Sequence, residues 1–371
     1  MKFQISKNKI FKSISHLQGI VDKKNTLPVL SNILIEAKDN TLTLSSTDMD
    51  ISIIEKLQCN VLEVGATTIN SQILYDIVRK LDDNSDIEMI SNDGNLLTLR
   101  ASGSRFSLAC LPKEDFPIID QKNEGTSIKI NSKILLKLID KTKFAISNEE
   151  TRYFLNGLYF NIQLENKKTS VTLVGTDGHR LAKFSHEIDQ DIEQVSGVII
   201  PKKTIYELSK LLSEIDEDIE IIISSNKIIF FIDNLIFISK LIDGTFPDYK
   251  RVIPENNHNL LEVNREKLLA AVDRVSTIAN EKSPVIKLKL LKDIINLNTA
   301  NNENSTATED INLTYSGDEF EIGFNSKYIM DIVNNLEDEI ISINLKDSSG
   351  PITAKEKSHS NLVYVLMPMR V

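Results

Sequence analysis

Tryptophan is absent from this sequence, and cysteine nearly so. Cys59 and Cys110 are too few and too scattered for a disulfide framework or a zinc knuckle, so a reducing compartment fits best. The opening MKFQISKNKIF has no apolar signal core, and no run approaches the ~20 residues of a membrane span. A cytoplasmic protein without membrane contact is therefore expected. Phosphate loops of the Walker type are missing, as are GxGxxG after a strand, GxSxG, HExxH and CxxC. The histidines, His16, His179, His186, His258 and His359, show no metal-ligand spacing with carboxylates or cysteines. Neither a metal nor a cofactor is expected.

What remains is an ordinary globular composition, 41% hydrophobic and 26% charged, spread over 371 residues. That length can bury two or three separate cores. A threefold internal repeat decides for three. ISKNKIFKSISHLQGIV from Ile5, INSKILLKLIDKTKFAI from Ile130 and VNREKLLAAVDRVSTIA from Val263 each open on a polar residue suited to a helix N-cap, namely Ser6, Asn131 and Asn264. Ile10, Phe11, Ile14, Leu17 and Val21 match Leu135, Leu136, Ile139, Thr142 and Ile146. In the third copy the matching positions are Leu268, Leu269, Val272, Val275 and Ala279, one buried helix face in every case.

A second helix recurs as SQILYDIVRKL (71–81), KKTIYELSKLL (202–212) and SKYIMDIVNNL (326–336), which align without gaps. An acidic bend and a β-rich run follow each. A final apolar strand, RFSLACL, LIFISKL or LVYVLMP, then leads to an exit proline at Pro117, Pro247 or Pro368. Alternating runs such as NILIEAK and TLTLSST lie between the helices. The fold class is α+β, three similar domains of two helices packed on β-sheets, with polar joints near 122–126 and 253–260.

Net charge is −10, but lysines gather on the first helices and acids in the bends LDDNSDIE and LLSEIDEDIE. Solvation of helix faces explains any one helix. Repetition at matched places suggests instead a weakly basic lining that holds a polyanion by its phosphates without reading sequence. The absence of an aromatic–basic stacking module argues against a single-strand binder.

VGTDGHRLAKFS, from Val174 to Ser185, places an acid, a histidine and an arginine within four positions. On paper Asp177 and His179 form a hydrolytic dyad. However, LTLSSTDMDISI (42–53) and INLNTANNENSTATEDINL (295–313) occupy the same place in the other copies, each a strand, a polar turn and a strand. Asp-Gly favours such a turn, and no nucleophile or metal completes an active site.

TLPVLSNILIEA (26–37), SRFSLACLPKEDFP (104–117), RYFLNG (152–157), TDGHRLA (176–182), KLIDGTFPDYKRVIP (240–254), TYSGDEFEIGFN (314–325) and YVLMPMRV (364–371) together resemble the bacterial sliding clamps, the β subunits of DNA polymerase III, in family order along the whole chain. The resemblance implies domains at 1–124, 125–256 and 257–371, and a homodimer closed into a ring of six domains with helices lining the hole. Such a ring slides on double-stranded DNA, performs no catalysis, is opened by a separate loader, and confers processivity on the polymerase in the bacterial cytoplasm at the nucleoid.

Partner proteins of this family insert a short peptide rich in Gln, Leu and Phe. By matching motif, the resemblance implies a groove of Arg152, Leu155, Thr176, Gly178, His179, Arg180, Leu181, Pro247, Arg251, Val252, Asn325 and Tyr328, completed by Met367, Pro368, Met369, Arg370 and Val371. Met thioethers and Leu and Val walls suit apolar anchors. DNA contacts would fall on Lys24, Arg79, Tyr153, Lys202 and Lys203. The dimer face would pair Phe106 and Leu108 with Ile278, and set Arg105 against the acids Glu303, Glu309 and Asp310. Two other readings stay open: a monomeric three-domain peptide-binding scaffold, and a hydrolase using Asp177 and His179.

Overall fold

The alternating apolar runs become strands and the 3.6-residue patterns become helices in the computed structural model, which describes residues 1–21, 27–92, 95–165, 168–192, 195–280, 284–300 and 305–370. The first third runs β1 (Lys2–Ser6), α1 (Lys7–Gln18), β2 (Asn32–Lys38), β3 (Thr41–Thr47), β4 (Ile51–Gln58), β5 (Asn60–Glu63), β6 (Gly65–Asn70), α2 (Ser71–Lys80), β7 (Asp86–Ser91), β8 (Leu96–Ala101) and β9 (Ser104–Leu111). The middle third continues with β10 (Thr126–Asn131), α3 (Ser132–Asp140), β11 (Gly157–Glu165), β12 (Lys168–Thr176), β13 (Arg180–Ile188), β14 (Val195–Pro201), α4 (Lys202–Ser213), β15 (Asp218–Ile223), β16 (Lys227–Ile232) and β17 (Leu235–Lys240). The last third holds β18 (Asn259–Asn264), α5 (Arg265–Ser276), β19 (Val285–Leu291), β20 (Ile294–Ala300), β21 (Thr306–Asn312), β22 (Thr314–Tyr315), β23 (Phe320–Asn325), α6 (Ser326–Asn334), β24 (Ile340–Leu345), β25 (Ile352–Lys355) and β26 (Leu362–Leu366). Each third thus carries the two helices and the paired strands that the repeat predicts; residues 301–304, in the third copy's turn, lie outside the described residues.

Capping follows the pattern unevenly. Asn264 accepts from the Lys267 amide at 3.0 Å and Asn131 from the Lys133 amide at 3.0 Å, whereas Ser6 makes no side-chain cap. Asn70 and Asn325 cap the second helices in the same way. The helix α3 is shorter than its counterparts. At the position of Leu17 and Val275 it has Thr142, whose hydroxyl turns back to the carbonyl of Leu138 at 2.7 Å, and the chain passes into a 3-10 turn.

The described residues form two compact units. Met1–Lys133 joins Tyr206–Leu241 in the first, and Ile134–Ile205 joins the chain from Ile242 onward in the second. The middle repeat is therefore shared, which its sequence does not foretell. In the first unit one sheet runs β10-β15-β16-β17-β4-β3-β2-β6-β9-β8-β7-β1-β5, with α1 packed against α2 and over β3 and β4. In the second, one sheet runs β14-β11-β12-β13-β26-β25-β24-β18-β22 and another β21-β20-β19-β23, with α5 packed against α6, β20 and β21. Ile10, Ile14 and Leu17 of α1, and Leu268, Ala271, Val272 and Val275 of α5, face the cores. Equivalent ladders join neighbouring repeats: β17 pairs β4 from Ser239↔Ile51 to Leu235↔Glu55, and β26 pairs β13 from Leu366↔Arg180 to Leu362↔Phe184.

The charge pattern departs from the expected segregation, because acids of the bends reach back to lysines of the first helices. Lys7 is buried and bonds Asp83 at 2.5 Å, and Lys12 pairs Glu214 at 3.1 Å. Lys133 meets Asp216. The buried Lys141 meets Glu337 at 2.8 Å and the Asn335 carbonyl at 2.6 Å. The basic lining is thinner than a count of lysines implies.

One such contact is sensitive to pH. His16 lies between Glu55, at 3.0 Å from Nδ1, and Glu214, at 3.3 Å from Nε2, while Ser13 donates to Glu55 at 2.6 Å. Burial alone would lower the His16 pKa, but the two carboxylates outweigh it and the net shift is upward. Its contribution to stability is full below the unfolded value of roughly 6.5 and is lost as pH rises through the raised folded value. Calorimetry across that range should show the first unit's melting temperature falling with pH, and the fall should shrink in His16→Gln. An unchanged slope in the variant would contradict the assignment.

Candidate functional site

The hairpin between β12 and β13 is built by its own side chains. Thr176 Oγ1 donates to the Arg180 carbonyl at 2.6 Å and accepts from the Gly178 amide at 3.1 Å. Asp177 Oδ1 accepts the amides of His179 and Arg180 at 2.9 and 3.0 Å. Gly178 has φ +87°, and a Cβ there would lie 2.5 Å from Arg152 Nη1. The positive φ favours glycine here, and a Cβ would push aside the movable end of the Arg152 side chain.

Arg180 fastens the turn to its surroundings. Its Nε donates to Asp177 Oδ2 at 3.1 Å, Nη1 to Asp331 on α6, and Nη2 to the Phe144 carbonyl at 2.8 Å. The guanidinium also lies 4.4 Å from the Tyr328 ring centroid, and its side chain is only 10% exposed. Arg180 is thus a wall and a brace whose donors are committed within the chain. His179 instead shows an exposed ring, stacked at 6.3 Å on Tyr328, while its carbonyl accepts from the Met367 amide at 2.9 Å.

Beside this turn lies a cavity of about 270 Å³. Arg152, Leu155, Thr176, Gly178, Arg180, Leu181, Pro247, Val252 and Met367, all expected from sequence, line it. Phe154, Tyr249 and Val365 line it too and were not expected. The run FPDYKRV already contained Tyr249. Val365, in the last strand, is 1% exposed and belongs to the core while flooring the cavity. Leu155, Val174, Leu181, Ile199, Phe246, Tyr249 and Val365 form the apolar cluster below, braced by Tyr159 stacked on Phe246 at 4.8 Å. Arg152 is held by Glu149 at 2.7 Å, and this bond keeps the Glu149 carboxyl below its usual range.

Other expected groove residues stand apart from the cavity lining. Asn325 caps α6 and Tyr328 packs beside His179 and Arg180. Met369 is tied to Gly323 through its amide at 2.8 Å, with Pro368 half-buried and Arg370 exposed. Arg251 is exposed and pairs with Asp248 at 2.9 Å. Val371, like Lys24 and Glu303, lies outside the described residues.

Of the residues expected to meet DNA, Arg79 pairs with Asp76 at 3.3 Å and lies over Tyr75, and Tyr153 is exposed. Lys202 and Lys203 open α4, as expected, with Lys202 Nζ bonding Asn148. Of the dimer-face residues, Arg105 is exposed on β9, Phe106 and Leu108 are half-buried there, and Ile278 is half-buried after α5. Glu309 already holds Arg274 through bonds of 3.1 and 2.6 Å, and Asp310 accepts from Asn296 at 2.7 Å, so neither acid waits free for Arg105. The Asp177 carboxylate is consumed by the turn and by Arg180 and makes no bond to the His179 ring. The hydrolytic dyad is therefore not assembled.

Two substitutions probe the turn. Gly178→Ala should destabilise the second unit by about 1–3 kcal/mol through its positive φ. Arg180→Ala should cost about 1–3 kcal/mol by leaving the mostly buried Asp177 carboxylate and the Phe144 carbonyl without their partner, while the 45% exposed Asp331 can turn to water. Denaturant titration measures both, and a loss below about 0.5 kcal/mol for Arg180→Ala would contradict the bracing role.

Comparison with known proteins covers the whole chain. Residues 1–120 match the N-terminal domain of the DNA polymerase III beta subunit, 129–248 its central domain and 250–370 its C-terminal domain. The beta sliding clamp of Caulobacter vibrioides is 38% identical over 372 residues, and that of Escherichia coli K12 34%, each covering 100% of both chains. Among solved structures, the sliding clamp of Bartonella birtlesii bound to griselimycin superposes with a TM-score of 0.95 at 40% identity over 100% of both chains. A Caulobacter crescentus clamp, with polyethylene glycol bound to a putative beta-motif tethering region, gives 0.96 at 38% over 100% of this chain and 99% of its own. With three family domains in order and relatives of this identity along its full length, the chain belongs to the DNA polymerase III beta subunit family, the beta sliding clamps.

Proposed function

We propose that two copies of this chain, each with domains at 1–124, 125–256 and 257–371, close head to tail into a ring that encircles duplex DNA and tethers the replicative polymerase. The observation that carries this reading is the full-length likeness to beta sliding clamps in all three domains. Two open strand edges support the dimer. β9 pairs with β8 over Ser104–Ala109 but with β6 only at Cys110 and Leu111, so among the described residues its other edge is open over Ser104–Ala109. β21 pairs with β20 alone among the described residues. Unpaired edges of this kind invite another strand, and Phe106 and Leu108 supply apolar contact. Ile278 would meet them. Arg105 would then share Glu309 with Arg274 or turn to Asp310.

Inside the ring, Lys24, Arg79, Tyr153, Lys202 and Lys203 would touch phosphates or sugars without reading bases. A body of net charge −10 whose helix lysines are partly neutralised binds DNA weakly, which suits sliding once the ring is closed. The cavity beside the Asp177 turn would take the Leu and Phe anchors of partner peptides, with Met367 closing one side. Those partners would include the polymerase, the clamp loader and other DNA-processing proteins. The chain would perform no catalysis and would act in the bacterial cytoplasm at the nucleoid.

Two experiments test this. Fluorescence anisotropy with a Gln-Leu-x-Leu-Phe peptide should give saturable binding to the intact chain, lost when residues Met367 to Val371 are removed from a still-folded protein. Absence of binding to the intact chain would sink the groove assignment. In sedimentation, the wild type should run as a dimer and Leu108→Arg as a folded monomer. A variant that remains dimeric would exclude the β9 edge as the interface.

A further inference from the structure

The residue before Leu17, Thr142 and Val275, on the first helix of each repeat, is basic in all three copies: His16, Lys141 and Arg274. In the first two copies it reaches an acid past the second helix of the next repeat. His16 Nε2 lies 3.3 Å from Glu214, beyond α4, and Lys141 Nζ lies 2.8 Å from Glu337, beyond α6. The lysine one turn earlier, Lys12 or Lys137, meets the same acid at 3.1 or 3.4 Å. Each contact ties one repeat to the one after it. The third copy has no following repeat in its own chain.

Within its own repeat Arg274 does what His16 does. Glu55 pairs across its hairpin with Leu44 of LTL, and Glu309 with Leu297 of INL, so the two acids hold one position. His16 Nδ1 is 3.0 Å from Glu55, and Arg274 donates to Glu309 through Nε and Nη2 at 3.1 and 2.6 Å. The second acid is what differs. His16 sits between two carboxylates, whereas Nη1 of Arg274 has no partner among the described residues. The Arg274 side chain is 60% exposed, against 11% for His16 and 7% for Lys141.

An acid stands at the matching place in the first repeat. Leu81, Leu212 and Leu336 close the second-helix pattern; Glu214 and Glu337 lie one or two residues beyond theirs, and Asp82 follows Leu81 directly. Asp82 is exposed, and among the described residues its carboxylate has no partner, while Asp83 is held by the buried Lys7 at 2.5 Å. Strand register points the same way. Glu55 stands opposite Leu235, and Phe184, at the same hairpin position, stands opposite Leu362. Those leucines open LIFISKL and LVYVLMP, as Arg105 opens RFSLACL. The same register carried to the open edges of β9 and β21 sets Arg105 opposite Glu309.

We infer that the third bridge forms between two copies of this chain: Arg274 keeps Glu309 and also bonds the partner's Asp82, while Glu309 receives the partner's Arg105. The inference rests on the head-to-tail ring proposed above. It produces an alternating row of Arg105, Glu309, Arg274 and Asp82, in which every charge has an opposite neighbour. Asp82 thereby adds an acid to a joint whose own strand, TATEDIN, carries only Glu309 and Asp310.

Fluorescence-detected sedimentation of the full chain over a dilution series gives the dimer dissociation constant of the wild type, Asp82→Asn, Arg274→Gln and the double variant. A two-copy ring has two such joints, so each substitution acts twice. Asp82→Asn should weaken the dimer about tenfold, and the loss should shrink in high salt. In the Arg274→Gln background the same change should cost less than about twofold, because its partner is gone. An Asp82→Asn dimer as tight as the wild type would overturn the bridge and leave the ring standing. So would an equal loss in both backgrounds. A wild type that stays monomeric at every concentration would remove the ring reading and this bridge with it.

Discussion

The candidate groove depends on one constraint, the antiparallel ladder that lays the last strand of one repeat along a hairpin of the repeat before it. Backbone amides and carbonyls at such a joint must be paired, and pairing fixes register. On β13 the register sets Leu181 opposite Val365 and brings the Met367 amide to the His179 carbonyl. A slip of one residue would turn Leu181 away from the cavity, so the groove cannot be altered without breaking the sheet. The segment that follows β17 then runs beside this ladder, where Pro247, Tyr249 and Val252 line the cavity.

Electrostatics then divides the duties. At the Asp177 turn nearly every charged group is spent on architecture: Asp177 on amides, Arg180 on Asp177, Asp331 and the Phe144 carbonyl, Arg152 on Glu149. What the cavity offers a partner is mainly shape and apolar wall, from Leu155, Leu181, Val252 and Met367, with the exposed His179 ring at its edge. Elsewhere the acidic bends quench helix lysines, as Glu214 does Lys12 and Glu337 does Lys141. A ring that holds DNA by enclosure has no need of strong attraction, and strong attraction would impede sliding.

Much of this was legible in the sequence, for identifiable reasons. Helix faces such as Ile10, Ile14 and Leu17 are local and periodic, and the Asp-Gly turn is a local conformational requirement, so both could be read directly. The groove residues were legible only through family resemblance, because they converge from the 152, 176, 247 and 367 regions and no spacing rule links them. Partners distant in sequence stayed hidden: Lys7 with Asp83, Lys141 with Glu337 and Arg180 with Asp331. The division of the middle repeat between two compact units was hidden for the same reason, since β17 pairs with β4 across nearly two hundred residues of chain. Tyr249 and Val365 were missed because a residue can floor a cavity and belong to the core at once.

The central claim is topological capture, and retention on DNA of defined ends tests it most directly. The protein would be loaded onto nicked circular duplex by its bacterium's clamp loader, washed in high salt, and the circle then cut once with a restriction enzyme. Enclosure predicts that the protein stays on the circle through the salt wash and is lost soon after linearisation. Loss in the salt wash, or equal retention on circle and linear DNA, would contradict it.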